Sequence, residues 1–391
     1  MQAVLKTMTD CIAREICGRK EQPFLPQSSS AEEKEKYFSS LLRFSDRFDL
    51  AHLVGSALSK DGLLPAGKVA EQFRKRLFTA LYRCENLTAD LESLGKTLAE
   101  NGIDYLPLKG AVLRAEYPEP WMRTSCDIDV LVREEDAEKA KEVLTGRGYR
   151  FEGKGTHDLS FFSPSEVHIE LHYGLIESDT VGKADLPLRA VWENAVKKGE
   201  GREYAMTEEF FYYYHVAHTA KHLVHGGCGV RPLIDLWILN HGGKTDGAKR
   251  DALLREGGLS AFAEAATRLS ETWFGGEEGD ERTDLLGEFV LKGGVYGSTS
   301  NRVAVSQDRK GGKLGYALSR IFLPYGSLVC RYPSLEKHKW LLPVYEARRW
   351  FSLLFSGGAK RGMNELALNA RMTKEEREKT KKMLSSVGLD F

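Results

Sequence analysis

The chain has 391 residues, 42% of them hydrophobic and 29% charged, and its 56 lysines and arginines are balanced by 56 aspartates and glutamates. This is an ordinary globular composition with room for two or three domains, and its zero net charge leaves no overall field for nucleic acid, only scope for a local basic patch. No apolar run approaches the roughly 18 residues that span a bilayer. No secretion signal is expected, since no basic stretch leads into an apolar run near Met1, and the six cysteines contain no Cys-x-x-Cys pair, which argues against a zinc ribbon or disulfide framework. A cytoplasmic protein without a membrane partner is expected.

In chain order, residues 1–100 read as helical. Leu41, Leu42 and Phe44, then Leu50, Leu53, Val54 and Leu58, recur at spacings of three and four, as does the stretch from Val69 through Leu87 to Leu98. Residues 21–31, with two prolines and three serines, read as an exposed connection. At Gly102 the character changes. Ile103 to Leu108 is a short extended run, Lys109-Gly110 opens a helix from Ala111 to Tyr117, and a loop holding Pro118, Pro120 and Trp121 follows. Asp127-Ile128-Asp129-Val130-Leu131-Val132 has the pattern of a buried strand. Arg133 to Asp136 starts an amphipathic helix that Gly146 and Gly148 end, and Phe151, Leu159–Phe162 and Val167–His172 supply further strands. From Thr207 the pattern is helical again, with helices over Glu208–Val224 and Arg231–Asn240 and glycine-rich breaks at 226–229, 242–243, 275–279 and 293–297. Residues 373–383 read as a solvated helix. The expected organisation is an α+β chain: an N-terminal helical region (1–100), a small core of mixed strands and helices (101–205) and a C-terminal helical domain (206–391).

The carboxylates carry the chemistry. A strand alternates its faces, so Asp127 and Asp129 point one way while Ile128, Val130 and Val132 point the other. Two adjacent acids above a buried apolar face are costly unless something positive lies between them, and a hard divalent cation is the usual solution. Forty residues on, His168, Glu170 and His172 share one face of a second strand. An Asp-x-Asp strand followed by a strand with a third acid is the skeleton of a metal-dependent nucleotidyl-transfer site. Such transfer needs charge neutralisation and alignment more than covalent help, and two metal ions about 4 Å apart can supply both. Asp127 and Asp129 would bridge the ions, and Glu170 would bind the one that activates the attacking hydroxyl or act as its base. Taken alone, Asp-x-Asp is more often a surface strand with solvated acids; the second acid and the upstream Lys-Gly turn reverse that.

Around the acids, Lys109-Gly110 lies between a strand and a helix, where glycine lets the backbone approach a phosphate and the helix N-terminus and lysine favour an anion. Lys-Gly also marks ordinary turns. Arg123 is placed to bind a phosphate or to form a structural salt bridge, and Ser125 to donate to phosphate or simply to enter the strand.

Leu108-Lys109-Gly110, Tyr117-Pro118, Arg123, Asp127–Val132 and Ile169-Glu170-Leu171-His172, in this order, resemble the uncharacterised bacterial nucleotidyltransferase family of the polymerase-beta-like superfamily. Arg231–Leu236, Leu323-Pro324-Tyr325 and Tyr332-Pro333 are similar to that family's helical part, which extends the resemblance from about residue 40 to 355. The resemblance implies a mixed sheet flanked by helices, with Mg²⁺ (or Mn²⁺) and a nucleoside triphosphate bound at the acids. By position Asp127 and Asp129 match the metal-binding pair and Glu170 the third acid. Lys109-Gly110 departs from the superfamily's usual Gly-Gly or Gly-Ser turn. That departure motivates an alternative, a module on the same fold that binds a nucleotide or anion, or docks a partner, without turnover. The acceptor, whether small molecule, RNA or protein, does not come with the resemblance.

His215, His218, His222 and His225 share one face of the 208–225 helix. Such spacing can place two imidazoles on one metal, as in a histidine-based metal hydrolase; the simpler expectation is a packed face with its imidazoles bonded to carboxylates or backbone. Between these, His218 and His222, with His172, are candidates for lining an acceptor pocket. Arg231 and Asp235 are spaced for a helical ion pair, and Phe210 to Tyr214 read as core. The cleft is expected between the sheet and the C-terminal helices, with the carboxylates of Asp127, Asp129 and Glu170 about 3–6 Å apart.

Overall fold

The computed structural model describes residues 1–27, 30–175, 181–243, 245–295, 297–355 and 358–389. Four helices come first: α1 (Gln2–Ile16), α2 (Ala31–Asp46), α3 (Ala51–Lys60) and α4 (Lys68–Glu100). Ser30 caps α2 by accepting the Glu33 N–H, and the apolar positions expected to face inward, Leu41, Leu42, Leu53, Val54 and Leu58, are buried. The 33 residues of α4 give a rod of roughly 50 Å that serves two cores. Phe73 packs with α1 to α3, whereas Leu87, Leu94 and Leu98 lie against the sheet.

The sheet has five strands: β1 (Tyr105–Pro107), β2 (Asp127–Val132), β3 (Arg150–Lys154), β4 (Asp158–Phe162) and β5 (His168–His172). Their order is β1-β2-β5-β4-β3, with β2 and β5 parallel and the other pairs antiparallel. It is therefore mixed. Two helices lie within this stretch, α5 (Lys109–Leu113) and α6 (Ala137–Gly146). The helix expected over Ala111–Tyr117 begins two residues earlier and tightens to a 3-10 turn at Arg114–Glu116. Pro118 disfavours helical backbone at the residue before it, and Tyr117 is extended. β6 (Ala195–Lys197) and β7 (Tyr204–Met206) form a hairpin that the sequence does not announce, because three-residue strands are too short to show a period of two.

Alternation sorts the sheet's residues. Ile128, Val130, Val132, Ile169 and Leu171 are fully buried on the face that packs with α4 and α6. The opposite face carries the acids of β2 and β5 and is covered by C-terminal helices, which begin with α7 (Glu208–Val224), α8 (Arg231–His241), α9 (Gly247–Glu256), α10 (Ser260–Ser270), α11 (Glu281–Lys292) and α12 (Thr299–Arg309). Helix α7 is buried on nearly every side, from Phe210 to Val224, as befits a central helix. One apolar cluster runs from Met8 through Leu106 and Phe210 to Leu389, so the N- and C-terminal helices share a core on the acid side of the sheet. The chain ends in α13 (Lys313–Ile321), α14 (Tyr325–Arg331), α15 (Ser334–Lys337), α16 (Leu342–Phe355), α17 (Gly358–Arg371) and α18 (Lys374–Ser386), around a small cluster of Val303, Ala304, Tyr316 and Met372.

Candidate active site

The register of β2 on β5 builds the site. Asp127 lies opposite His168, Asp129 opposite Glu170, and Leu131 opposite His172. Pairing in parallel strands keeps side chains on one face together, so Asp127, Asp129, Glu170, His168 and His172 converge. The ligand atoms of Asp127, His168 and Glu170 all lie within 4.8 Å of one another, as do those of Asp129, Glu170 and His172. Glu170 belongs to both groups and joins the two aspartates.

Asp129 is buried and Asp127 and Glu170 partly so. One oxygen of Asp129, Oδ1, accepts from Lys109 Nζ at 2.9 Å and lies 2.9 Å from His172 Nε2, which is also 3.5 Å from Glu170 Oε2. Burial alone would raise the Asp129 carboxyl, but the Lys109 ammonium and the His172 bond outweigh it and hold the group below the usual carboxylate range. Asp127 goes the other way, raised by burial and then by the neighbouring Asp129 charge. Burial works against the His172 cation, yet its bonds to Asp129 and Glu170 raise it. The His172 ring also stacks on His157, with centroids 5.6 Å apart and planes 19° apart.

Lys109-Gly110 begins α5 beside the acids. Lys109 takes a left-handed φ of +43°, and Gly110 is needed because a Cβ there would sit 2.5 Å from Arg123 Nη1. Arg123 forms a two-pronged pair with Asp235, Nε to Oδ1 at 3.1 Å and Nη2 to Oδ2 at 3.0 Å, and Tyr117 Oη donates to the same carboxylate at 2.6 Å. Arg231, expected to pair with Asp235 along its own helix, instead donates to Asp49 at 3.1 Å. The first turn of α8 faces the cleft, so Asp235 is buried where Arg123 can reach it and an exposed helical pair is not formed. Ser125 Oγ accepts from Arg114 at 2.8 Å and donates to the Asp127 carbonyl at 3.3 Å, which positions the start of β2.

Helix α7 closes the cleft. His215 Nε2 lies 3.0 Å from the Pro232 carbonyl, His218 and His222 meet through their Nε2 atoms at 2.9 Å, and His225 Nδ1 bonds the Lys221 carbonyl at 2.7 Å. Among the described residues, no group of three or more side chains able to hold a metal includes this stripe. The cleft, with its solvent-open mouth included, spans roughly 1210 Å³ and is lined by Lys109, Arg123, Ser125, Asp127, Asp129, Glu170, His218, His222 and Arg231, among others. A smaller space of about 510 Å³ adjoins it, lined by His157, His172, Leu175, Leu188 and Lys221. Lys109, Tyr214 and His218 line both.

The cleft thus brings together each of the ten residues singled out from the sequence, His172 through the smaller space. Tyr214, His157 and Lys221 were not singled out. Tyr214 is core as expected, yet also forms wall. His157 owes its place to the pairing of β4 with β5, which no local spacing announces.

Residues 34–275, more than half of the chain, match the model of a family described as "Uncharacterised nucleotidyltransferase". The chain belongs to that family. The match ends before Leu323-Pro324-Tyr325 and Tyr332-Pro333, so the likeness drawn on those segments lies outside it. No curated protein matches, and no solved structure does.

The donor set of this nucleotidyltransferase-family site suits a hard divalent cation: carboxylate oxygens dominate it, and one imidazole completes each group. Three carboxylates face one lysine and one imidazole whose cation they favour, which still leaves negative charge in excess for such an ion to neutralise. Burial raises the Asp127 carboxyl first, and the Asp129 charge adds to it.

Proposed function

We propose that the protein transfers a nucleoside monophosphate from a nucleoside triphosphate to an acceptor hydroxyl, phosphate or similar group, using Mg²⁺ or Mn²⁺. The observation that carries this reading is the register of β2 on β5, which joins Asp127 and Asp129 through Glu170 at the floor of the cleft. Asp127, Asp129 and Glu170 would hold the metal, which when bound neutralises triphosphate charge and acidifies the attacking hydroxyl. Lys109, the Gly110 turn, Arg123 and Ser125 are assigned to the triphosphate, and His172, His218 and His222 to the acceptor's side. With a hydroxyl acceptor, its oxygen bonds to the α-phosphorus, its proton passes to a base for which Glu170 is the candidate, and the bond to the bridging oxygen breaks to release pyrophosphate. The unit comprises the 101–205 core with helical regions 1–100 and 206–391 on either side. Cytoplasmic placement is supported by the free thiols of Cys11, Cys17, Cys84, Cys126 and Cys228.

Incubation with labelled nucleoside triphosphates and a panel of acceptors should release pyrophosphate, and Asp127→Asn should abolish it. Equal release by that variant would falsify the assignment. A second reading, binding without turnover, has one observation in its favour: Lys109 and His172 both already occupy Asp129 Oδ1. It predicts thermal stabilisation by nucleotide with Mg²⁺ and no product with any acceptor.

A further inference from the structure

The zero net charge of the chain hides a strong asymmetry. Between residues 309 and 371 there are twelve lysines and arginines and only three acids, a net of +9, so the rest of the chain carries an equal negative excess. The three acids are Glu336, Glu346 and Glu365, and two of them are taken up within the segment, Glu346 by Arg349 at 2.8 Å and Glu365 by Arg320 at 2.9 Å. Lys313, Arg331, Lys337, Lys339 and Arg348 are exposed.

The same segment exposes apolar side chains. Nine of the sixteen large hydrophobic residues exposed among the described residues fall between Leu314 and Met363. On α13, Leu314 and Leu318 are 74% and 46% exposed at a spacing of four, so they share a face, and Phe322 follows at 62%. Trp340 precedes α16 at 75%, and Val344 and Phe351, seven apart on that helix, are 58% and 65% exposed. The two helices are tied together. Glu346 accepts the Leu323 N–H at 3.1 Å, and the buried Arg349 donates to the Ile321 carbonyl. Exposed apolar surface on this scale marks a binding face.

We infer that this C-terminal segment is a docking surface for an anionic lipid bilayer, on which it lies without crossing. Bulky apolar residues beside exposed lysines and arginines are what an interfacial element presents: the apolar side chains enter the headgroup boundary and the cations meet anionic lipid. Trp340 is the residue type that favours this depth. The alternatives fit less well. Single-stranded nucleic acid would use the charge and the aromatic rings but gains nothing from Leu314, Leu318, Val344 or Met363. A second copy docking through the same face would set +9 against +9. No helix among the described residues is long and apolar enough to cross a membrane, and the surface needs none. The expectation of no membrane partner rested on the lack of a spanning run, which does not bear on a surface-lying element.

The test is co-sedimentation of the full chain with phosphatidylcholine vesicles, with and without phosphatidylglycerol, alongside a single-stranded RNA homopolymer. Binding to the anionic vesicles alone is expected, with a blue shift of tryptophan emission. Lys337→Glu with Lys339→Glu should weaken it more than about tenfold at low salt. Trp340→Ser with Phe351→Ser should do the same while leaving the melting temperature unchanged, since both side chains are exposed. Equal binding to neutral vesicles, retention on RNA in place of vesicles, binding to neither, or full binding by either double variant would each overturn the inference. None of these outcomes bears on the nucleotidyl-transfer reading, which rests on residues far away in the sequence.

Discussion

Lys109 holds a backbone conformation that few side chains accept. Its φ of +43° costs about 1 kcal/mol or more for a residue with a Cβ, and glycine would relieve it. What the lysine contributes in return is its ammonium on Asp129 Oδ1. Lys109→Gly relieves the backbone but leaves the buried Asp129 without its ammonium, so it should give no net gain in stability while lowering pyrophosphate release by about 10²-fold, the usual cost of losing one charge-stabilising group. A variant that kept full turnover would remove Lys109 from the machinery. Arg123 and Asp235 make the opposite case, since each is buried and the other is its partner. Asp235→Ala leaves the guanidinium without its carboxylate and Tyr117 without its acceptor, so it should cost about 3–5 kcal/mol of unfolding free energy in a urea titration.

At the scale of elements, the turn into α5 and the two glycine-rich loops bring backbone close to its neighbours. Gly110→Ala would press a methyl group against Arg123 and should destabilise by about 1–3 kcal/mol, displacing the arginine from Asp235. The first break, Gly226–Gly229, packs on Gly294, Val295 and Gly297 of the later one, although the sequence shows both only as separators between helices. A Cβ on Gly227 would lie 2.9 Å from Gly297 Cα, and Gly227 itself has φ +126°. Gly227→Ala should lower the melting temperature more than Gly247→Ala, whose Cβ meets nothing within 4 Å. Equal effects at the two glycines would argue against close loop packing. These loops set Cys228, Gly229 and Val295 at the cleft, so the packing also bears on its shape.

Across the whole molecule, pH should act through buried histidines. His52 ties α3 to the loop before β2 by donating from Nε2 to the Met122 carbonyl at 3.0 Å. Burial lowers it from about 6.5 to about 4, and that hydrogen bond only partly offsets the effect. His215 and His218 are also lowered, by burial first. The unfolded chain takes up a proton on each near pH 6.5, whereas the folded chain does so only at lower pH. Their stabilising effect is complete above about pH 6.5 and declines as the pH falls, for His52 down to about pH 4. His52 alone should account for about 3 kcal/mol between those limits. Urea titrations from pH 7 to 5 check this, and His52→Gln should flatten the slope. A slope unaffected by that change would mean that the ring is solvated.

The alternation Asp127-Ile128-Asp129-Val130 was enough to separate a buried apolar face from an acid face, because side-chain direction in a strand is local geometry. For the same reason the bounds of α7, and nearly those of α8, were legible: helical period and flanking breaks are contained within the element. Partners across the chain were not. Arg123 is 112 residues from Asp235, and Arg231 is 182 from Asp49, and the local rule for charges four apart pointed to a different pair. The closure of the cleft by α7, the stacking of His157 on His172 and the joint hold of Lys109 and His172 on one oxygen depend on where distant segments come to rest. Periodicity specifies which face of an element is apolar; only packing the elements together, with every buried charge and polar group given a partner, decides which functional groups meet.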